Sequence, residues 1–236
     1  MLRQFLRNRR KAKRIASDEQ RDSLLGSDNG RGDYWQALTA ECDQSSLIAL
    51  LEDALKHPGD VIECGVFRGA SLRRIAKTVK DIAPERTVYG LDSFEGFPEG
   101  GITEADTQMF RSETRLMGKF RDADDVPERL TRFGKTFDIN LELHKGYFEK
   151  TLPALTDKTY CFIHIDSDTY SSHKEVLEAL FDSLVPGGTI VLDDYAAEAW
   201  PGAKRAVDEF FADRPESVEK SDIRRDAAWF ITKART

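Results

Sequence analysis

The chain has 236 residues, 42 of them Asp or Glu against 35 Lys or Arg, for a net charge of −7, and 40% are hydrophobic. That is ample apolar material for one sizeable core, and no run approaches the roughly 18 consecutive apolar residues that a membrane-spanning helix needs. Arg3, Arg7, Arg9, Arg10, Lys11, Lys13 and Arg14 all precede the first acidic residue, Asp18, so the rest of the chain is more acidic than the net figure.

An acidic body argues against a broad basic face for nucleic acid. The basic arm, in which Leu2, Phe5 and Leu6 have helical spacing, reads as a solvated tail, with weak contact to an anionic membrane surface as the alternative. Cys42, Cys64 and Cys161 are too few and too scattered for a disulfide framework or a thiolate zinc site, and no signal-peptide apolar region opens the chain. These features predict a cytoplasmic protein.

Leu47, Leu50, Leu51 and Ala54 set the period of an amphipathic helix over 45–55, which His57-Pro58-Gly59 stops. A first strand over 60–66, a helix over 69–79 and a second strand over 86–94 follow. Residues 95–122 form a long polar loop, the length of a binding loop or lid rather than a connector. Next come a helix over 124–133, a third strand over 137–144, a short helix over 148–155 interrupted by Pro153, a fourth strand ending at Asp166 and a helix over 172–184. A fifth strand ends at Asp193, a helix covers 203–211, and 217–223 with 227–233 read as an antiparallel hairpin. Strand and helix alternate without a linker, predicting an α/β fold with a doubly wound, mainly parallel sheet.

Two acidic clusters end buried strands: Asp166-Ser167-Asp168 after the fourth and Asp193-Asp194 after the fifth. Ligands of open α/β sheets bind at that edge. Carboxylates converging there need a compensating cation, and an all-oxygen set suits a hard divalent ion such as Mg²⁺. The turn after the first strand, Glu63-Cys64-Gly65-Val66-Phe67-Arg68-Gly69-Ala70-Ser71, lacks the G-x-G-x-x-G spacing of a pyrophosphate cradle. Its Glu63 is better placed beside an ammonium than a phosphate, and Asp92 stands where such folds bind ribose hydroxyls. Taken alone, Asp92 reads equally as a cap on the turn through Ser93. His144 and His173 are alternatives to a carboxylate as base, whereas His164 reads as a core histidine. Tyr147, Tyr195 and Trp200 are candidates to line an acceptor pocket, although packing is the commoner role of such rings.

Together, Glu63-Cys64-Gly65-Val66-Phe67-Arg68-Gly69, Leu91-Asp92-Ser93-Phe94-Glu95-Gly96-Phe97-Pro98, residues 145–153 (KGYFEKTLP), Ile165-Asp166-Ser167-Asp168-Thr169-Tyr170 and Asp193-Asp194-Tyr195 occur in the order seen in macrocin and mycinamicin sugar O-methyltransferases, which the chain resembles over about 47–213. The resemblance implies a class I S-adenosylmethionine-dependent fold of seven strands, the first beside the fourth and the fourth beside the fifth. It implies cofactor contacts from Glu63, Gly65, Gly69, Ser71, Asp92, Ser93 and Phe94. It also implies Mg²⁺ ligation by Asp166, Asp193 and Asp194, with Asp168 in a supporting place; on chemical grounds Asp166 is in addition the candidate proton acceptor. The motif differs from the family in having Ser167 where a glycine is usual and His173 where a threonine is common. Residues 45–236 would be the methyltransferase domain, and 1–44 an arm that covers a small-molecule or glycosyl acceptor, makes a homodimer contact, or neither. The other readings are a metal-independent methyltransferase and a non-catalytic scaffold that only binds the cofactor.

Overall fold

The computed structural model describes residues 28–107, 125–224 and 226–235; the basic arm and the second half of the long loop lie outside them. The chain divides into two compact units, Met1–Glu41 and Cys42–Thr236. In the first, the described part is helix α1 (Asp28–Cys42), which the apolar pattern does not announce because its polar sequence DNGRGDYWQALTAEC carries no clear apolar stripe.

The second unit holds seven strands, β1 (Asp60–Cys64), β2 (Val88–Asp92), β3 (Leu141–Lys145), β4 (Tyr160–Ile165), β5 (Leu184–Leu192), β6 (Glu219–Ser221) and β7 (Ala228–Thr232), in the spatial order β3-β2-β1-β4-β5-β7-β6. All neighbours are parallel except β7, which runs antiparallel to both β5 and β6. The expected adjacency of the first, fourth and fifth strands is therefore present, as is the terminal hairpin. Every residue of β4 is buried, as befits a central parallel strand covered on both faces.

Among the described residues the helices of this unit are α2 (Ser46–Ala54), α3 (Ala70–Ile82), the short α4 (Glu104–Thr107), α5 (Val126–Thr136), the short α6 (Phe148–Thr151), α7 (Tyr170–Leu180) and α8 (Pro201–Phe211). Ile62, Cys64, Leu91, Ile163, Ile165, Ile190, Leu192 and Ile231 share one buried cluster with Val176, Leu177 and Leu180 of α7 and Val207 and Phe211 of α8. Alternate residues point to the opposite face, where the Leu72 side chain of α3 fills the space beside Gly90. Each large apolar side chain buried this way contributes about 1.5–3 kcal/mol, so these two helix layers carry much of the folding energy.

Several boundaries move. The third strand begins at Leu141 rather than Phe137, because Phe137 caps α5 and packs on Phe133 with ring centroids 5.3 Å apart. Helix α7 starts at Tyr170, two residues early, since Thr169 supplies the cap and its side chain accepts from the Ser172 amide at 3.3 Å. Pro186-Gly187-Gly188, a turn signal by composition, does not precede the fifth strand. It sits within β5 as an irregularity, between the pairs Tyr160 with Leu184 and Phe162 with Thr189.

Candidate active site

The parallel strands β1, β4 and β5 end beside one another, and their ladder continues past the last strand residues. Asp166 N–H donates to the Cys64 carbonyl at 2.9 Å, and Asp193 N–H to the Ile165 carbonyl at 3.0 Å. Extending the register from Ile165 and Leu192 sets Asp166 level with Asp193. Gly65 makes the close approach feasible: its φ is +98°, and a Cβ there would overlap the Asp166 carbonyl oxygen. The turn glycine thus seats the end of β1 directly against the acidic loop after β4.

His164 occupies the same face of β4 as Asp166, two residues earlier, and stands opposite Glu63 on β1. Its Nδ1 lies 2.8 Å from Glu63 Oε1, and both side chains are buried. A carboxylate accepts, so Nδ1 carries the hydrogen. Neither His164 Nε2 nor Glu63 Oε2 has a hydrogen-bond partner among the described residues. One ligand atom each from His164, Asp166 and Asp193 lie within 4.8 Å of one another, a spacing that could hold a metal ion. His164 is thus in the core, as the sequence suggests, yet it belongs to the acidic site as well.

Asp166 is held well above the ordinary carboxylate range, first by burial and then by the neighbouring charges of Asp193, Asp194, Asp168 and Glu63. A cation placed among these groups would offset both causes, and the donor set of carboxylates with one imidazole fits a divalent ion. Asp193 is exposed, whereas Asp194 is buried and its Oδ2 accepts from the Asp168 amide at 3.0 Å. Asp168 itself adopts φ +61°, and Phe67 and Phe94 adopt +50° and +55°. These three lie in the turns after β4, β1 and β2, the edge where strained backbone commonly marks a functional site, whereas a fourth left-handed residue, Asp138, precedes β3.

Asp92, at the end of β2, serves as a turn organiser. Its Oδ2 accepts from the amides of Val66 at 2.8 Å and Phe67 at 2.7 Å, and its Oδ1 from Phe94 at 2.6 Å. The cap is therefore made through Phe94 rather than Ser93, whose hydroxyl donates to the Gly96 carbonyl at 2.7 Å. Phe94 is buried. Gly69, φ +75°, precedes α3 and packs on Leu130, and Ser71 lies in the first turn of that helix. These residues form one continuous edge with Glu63 and Gly65.

Neither His173 nor His144 belongs to the group whose spacing could hold a metal ion. His173 lies fully buried in α7, where its Nδ1 donates to the Thr169 carbonyl at 3.1 Å, and burial lowers its pKa to about 4. His144 is on the edge strand β3, its Nε2 3.8 Å from Glu142. Trp200 packs edge-on against Phe97 at 5.7 Å, and the Tyr195 hydroxyl donates to Asp208 at 2.8 Å, so both have structural partners.

This strand order, with a glycine turn after β1 and an acid at the end of β2, is that of the class I methyltransferase fold. A family model described as Macrocin-O-methyltransferase (TylF) matches residues 38–231, and the chain belongs to that family. It is 32% identical over 195 residues to the mycinamicin III 3''-O-methyltransferase of Micromonospora griseorubida, covering 78% of this chain and 73% of the relative. The 8-demethyl-8-(2,3-dimethoxy-alpha-L-rhamnosyl)-tetracenomycin-C 4'-O-methyltransferase of Streptomyces olivaceus is 36% identical over 149 residues, 60% of this chain and 55% of its own length. Among solved structures, the calicheamicin methyltransferase CalS11 superimposes with a TM-score of 0.71 at 21% identity, over 92% of this chain and 91% of its own, which shows the shared fold. The protein is an S-adenosylmethionine-dependent O-methyltransferase.

Proposed function

We propose that the chain methylates a hydroxyl of a glycosyl acceptor, with Mg²⁺ held by Asp166, Asp193 and Asp194 and with Asp166 taking the hydroxyl proton. The observation that carries this reading is the juxtaposition of Asp166 with Asp193 at the shared end of β4 and β5, where their carboxylate oxygens and a His164 ring nitrogen lie within 4.8 Å of one another. The rhamnosyl group in the name of the Streptomyces olivaceus relative supports a sugar hydroxyl as acceptor.

When bound, the donor supplies an electrophilic methyl group and Mg²⁺ polarises the acceptor oxygen. Glu63 orients the donor's ammonium end, for which its Oε2, unpartnered among the described residues, offers a buried acceptor. Asp92 and the amides it gathers shape the ribose side, and Gly65, Gly69, Ser71, Ser93 and Phe94 line the same edge. Holding donor and acceptor in line contributes an effective molarity of roughly 10⁵ to 10⁸ M. Asp194 is preferred to His164 as the third ligand because a hard ion favours oxygen. A second reading makes His164 the final proton acceptor, since Glu63 accepts the Nδ1 hydrogen and Nε2 has no partner among the described residues.

The test is turnover with methyl-labelled donor and a panel of deoxysugar glycosides, with Mg²⁺ and with a chelator. Asp193→Asn is expected to lower kcat by more than the roughly 10–100-fold that loss of an outer-shell partner costs. Metal-indifferent turnover, or full activity of that variant, rejects the metal assignment. Donor binding without transfer to any glycoside rejects the sugar acceptor.

A further inference from the structure

Asp106 is fully buried, in α4, inside the long loop that follows β2. Its Oδ2 accepts from the Thr103 amide and from the Thr103 hydroxyl, each at 2.8 Å. Its Oδ1 accepts from the Tyr170 amide at 2.8 Å, the first residue of α7. The same oxygen presses on Gly202 in the first turn of α8, where a Cβ would overlap it and would also come within 3.0 Å of Tyr170 Cβ. One carboxylate therefore sits where the first turns of α7 and α8 meet. Those two helices follow the two acidic clusters.

The connections from acids to helices are short and bonded along their length. After Asp166, Thr169 N–H donates to the Ser167 carbonyl at 2.6 Å and the Asp168 amide is held by Asp194. After Asp194, successive turns run from Ala197 to Asp194 at 3.0 Å, from Trp200 to Ala197 at 2.8 Å and from Ala203 to Trp200 at 3.1 Å. On the outside, the Tyr170 hydroxyl donates to Glu209 at 2.7 Å and the Tyr195 hydroxyl to Asp208 at 2.8 Å, so α8 also grips both loops from solvent. Exposed bonds of this kind contribute little, whereas a buried carboxylate with three donors fixes position strongly.

We propose that Asp106 is a positioning residue that sets the distance between Asp166 and the Asp193-Asp194 pair by spacing the first turns of α7 and α8. The inference rests on the divalent-ion reading given under Proposed function. Asn at 106 must turn its NH₂ toward one of the present donors, which leaves a buried donor facing a donor. Ala at 202 instead keeps every bonding group and raises helix propensity, while its methyl pushes the carboxylate aside.

The test titrates Mn²⁺, read by electron paramagnetic resonance, into the full chain saturated with S-adenosylhomocysteine, whose own affinity is measured by calorimetry. Asp106→Asn and Gly202→Ala are each expected to raise the Mn²⁺ dissociation constant by about tenfold or more, with S-adenosylhomocysteine affinity kept within about twofold. Unchanged Mn²⁺ affinity in both variants overturns the inference, as does an equal loss of both ligands, which marks general loosening. Failure of the wild-type chain to bind Mn²⁺ overturns the metal reading itself and this inference with it, and that outcome is visible before any variant is made.

Discussion

Asp166 brings together two demands that conflict until a cation arrives. Burial and four acidic neighbours raise its proton affinity in the folded chain, so the folded state holds a proton that the unfolded state has released. Stability of the metal-free protein therefore falls as pH rises from the ordinary carboxylate range through the raised value. Asp166→Asn should remove that penalty: thermal unfolding in chelator at neutral pH is expected to show a higher Tm, by roughly 2–4 °C for each kcal/mol relieved, while methyl transfer is lost. A lower Tm would show that the neighbouring charges do not act on it. His173 has the opposite sign. Its folded pKa of about 4 lies below the ordinary 6.5, so its contribution is complete above that ordinary value and is lost as pH falls toward 4. The full effect is about 3 kcal/mol. His173→Asn, which keeps a donor for the Thr169 carbonyl, should flatten the decline of stability between these pH values in denaturant titrations.

At the scale of elements, the strand ends carry the site, and the turn after β1 shows how tightly. Gly65→Ala must adopt a left-handed backbone and displace the Asp166 carbonyl, so a destabilisation of about 3 kcal/mol or more is expected in urea, together with loss of S-adenosylhomocysteine binding. A variant that bound the cofactor product normally would show that the turn yields freely. What could be read in the sequence follows the same physics. Buried parallel strands are continuous apolar runs, so β1, β2 and β4 and the acids that end them stand out before any fold is known. His164 did not, because its significance depends on register: Glu63 lies 101 positions away and becomes its neighbour only when β1 pairs with β4. Asp106 is hidden for the same reason, its partner Tyr170 being 64 positions on. The irregularity in β5 was unreadable because Pro-Gly-Gly signals a turn as readily as a bulge.

Across the whole molecule, the unit from Cys42 onward is closed by contacts between its sequence extremes. Ser45 should cap α2 by composition, yet its side chain makes no capping bond and its hydroxyl is buried without a partner among the described residues. The cap comes instead from Asp226, 180 positions away, whose carboxylate accepts from the Ser46 amide while its carbonyl accepts from the Ser46 hydroxyl at 2.6 Å. Arg224 strengthens the tie, donating to the Cys42 carbonyl and to Glu52, each at 2.6 Å. Because β7 runs antiparallel to β5, this connection joins the sheet at its carboxyl edge, the edge that holds the acids. Asp226→Ala leaves both strands their ladder bonds but uncaps the first helix of the unit, so a loss of about 1–2 kcal/mol is expected. Hydrogen exchange should locate it: the Ser46 amide is expected to exchange faster while the β4 amides keep their protection relative to global stability. Equal acceleration at both places would mean that α2 and the hairpin do not open apart from the sheet, and that the tie belongs to the global unfolding unit.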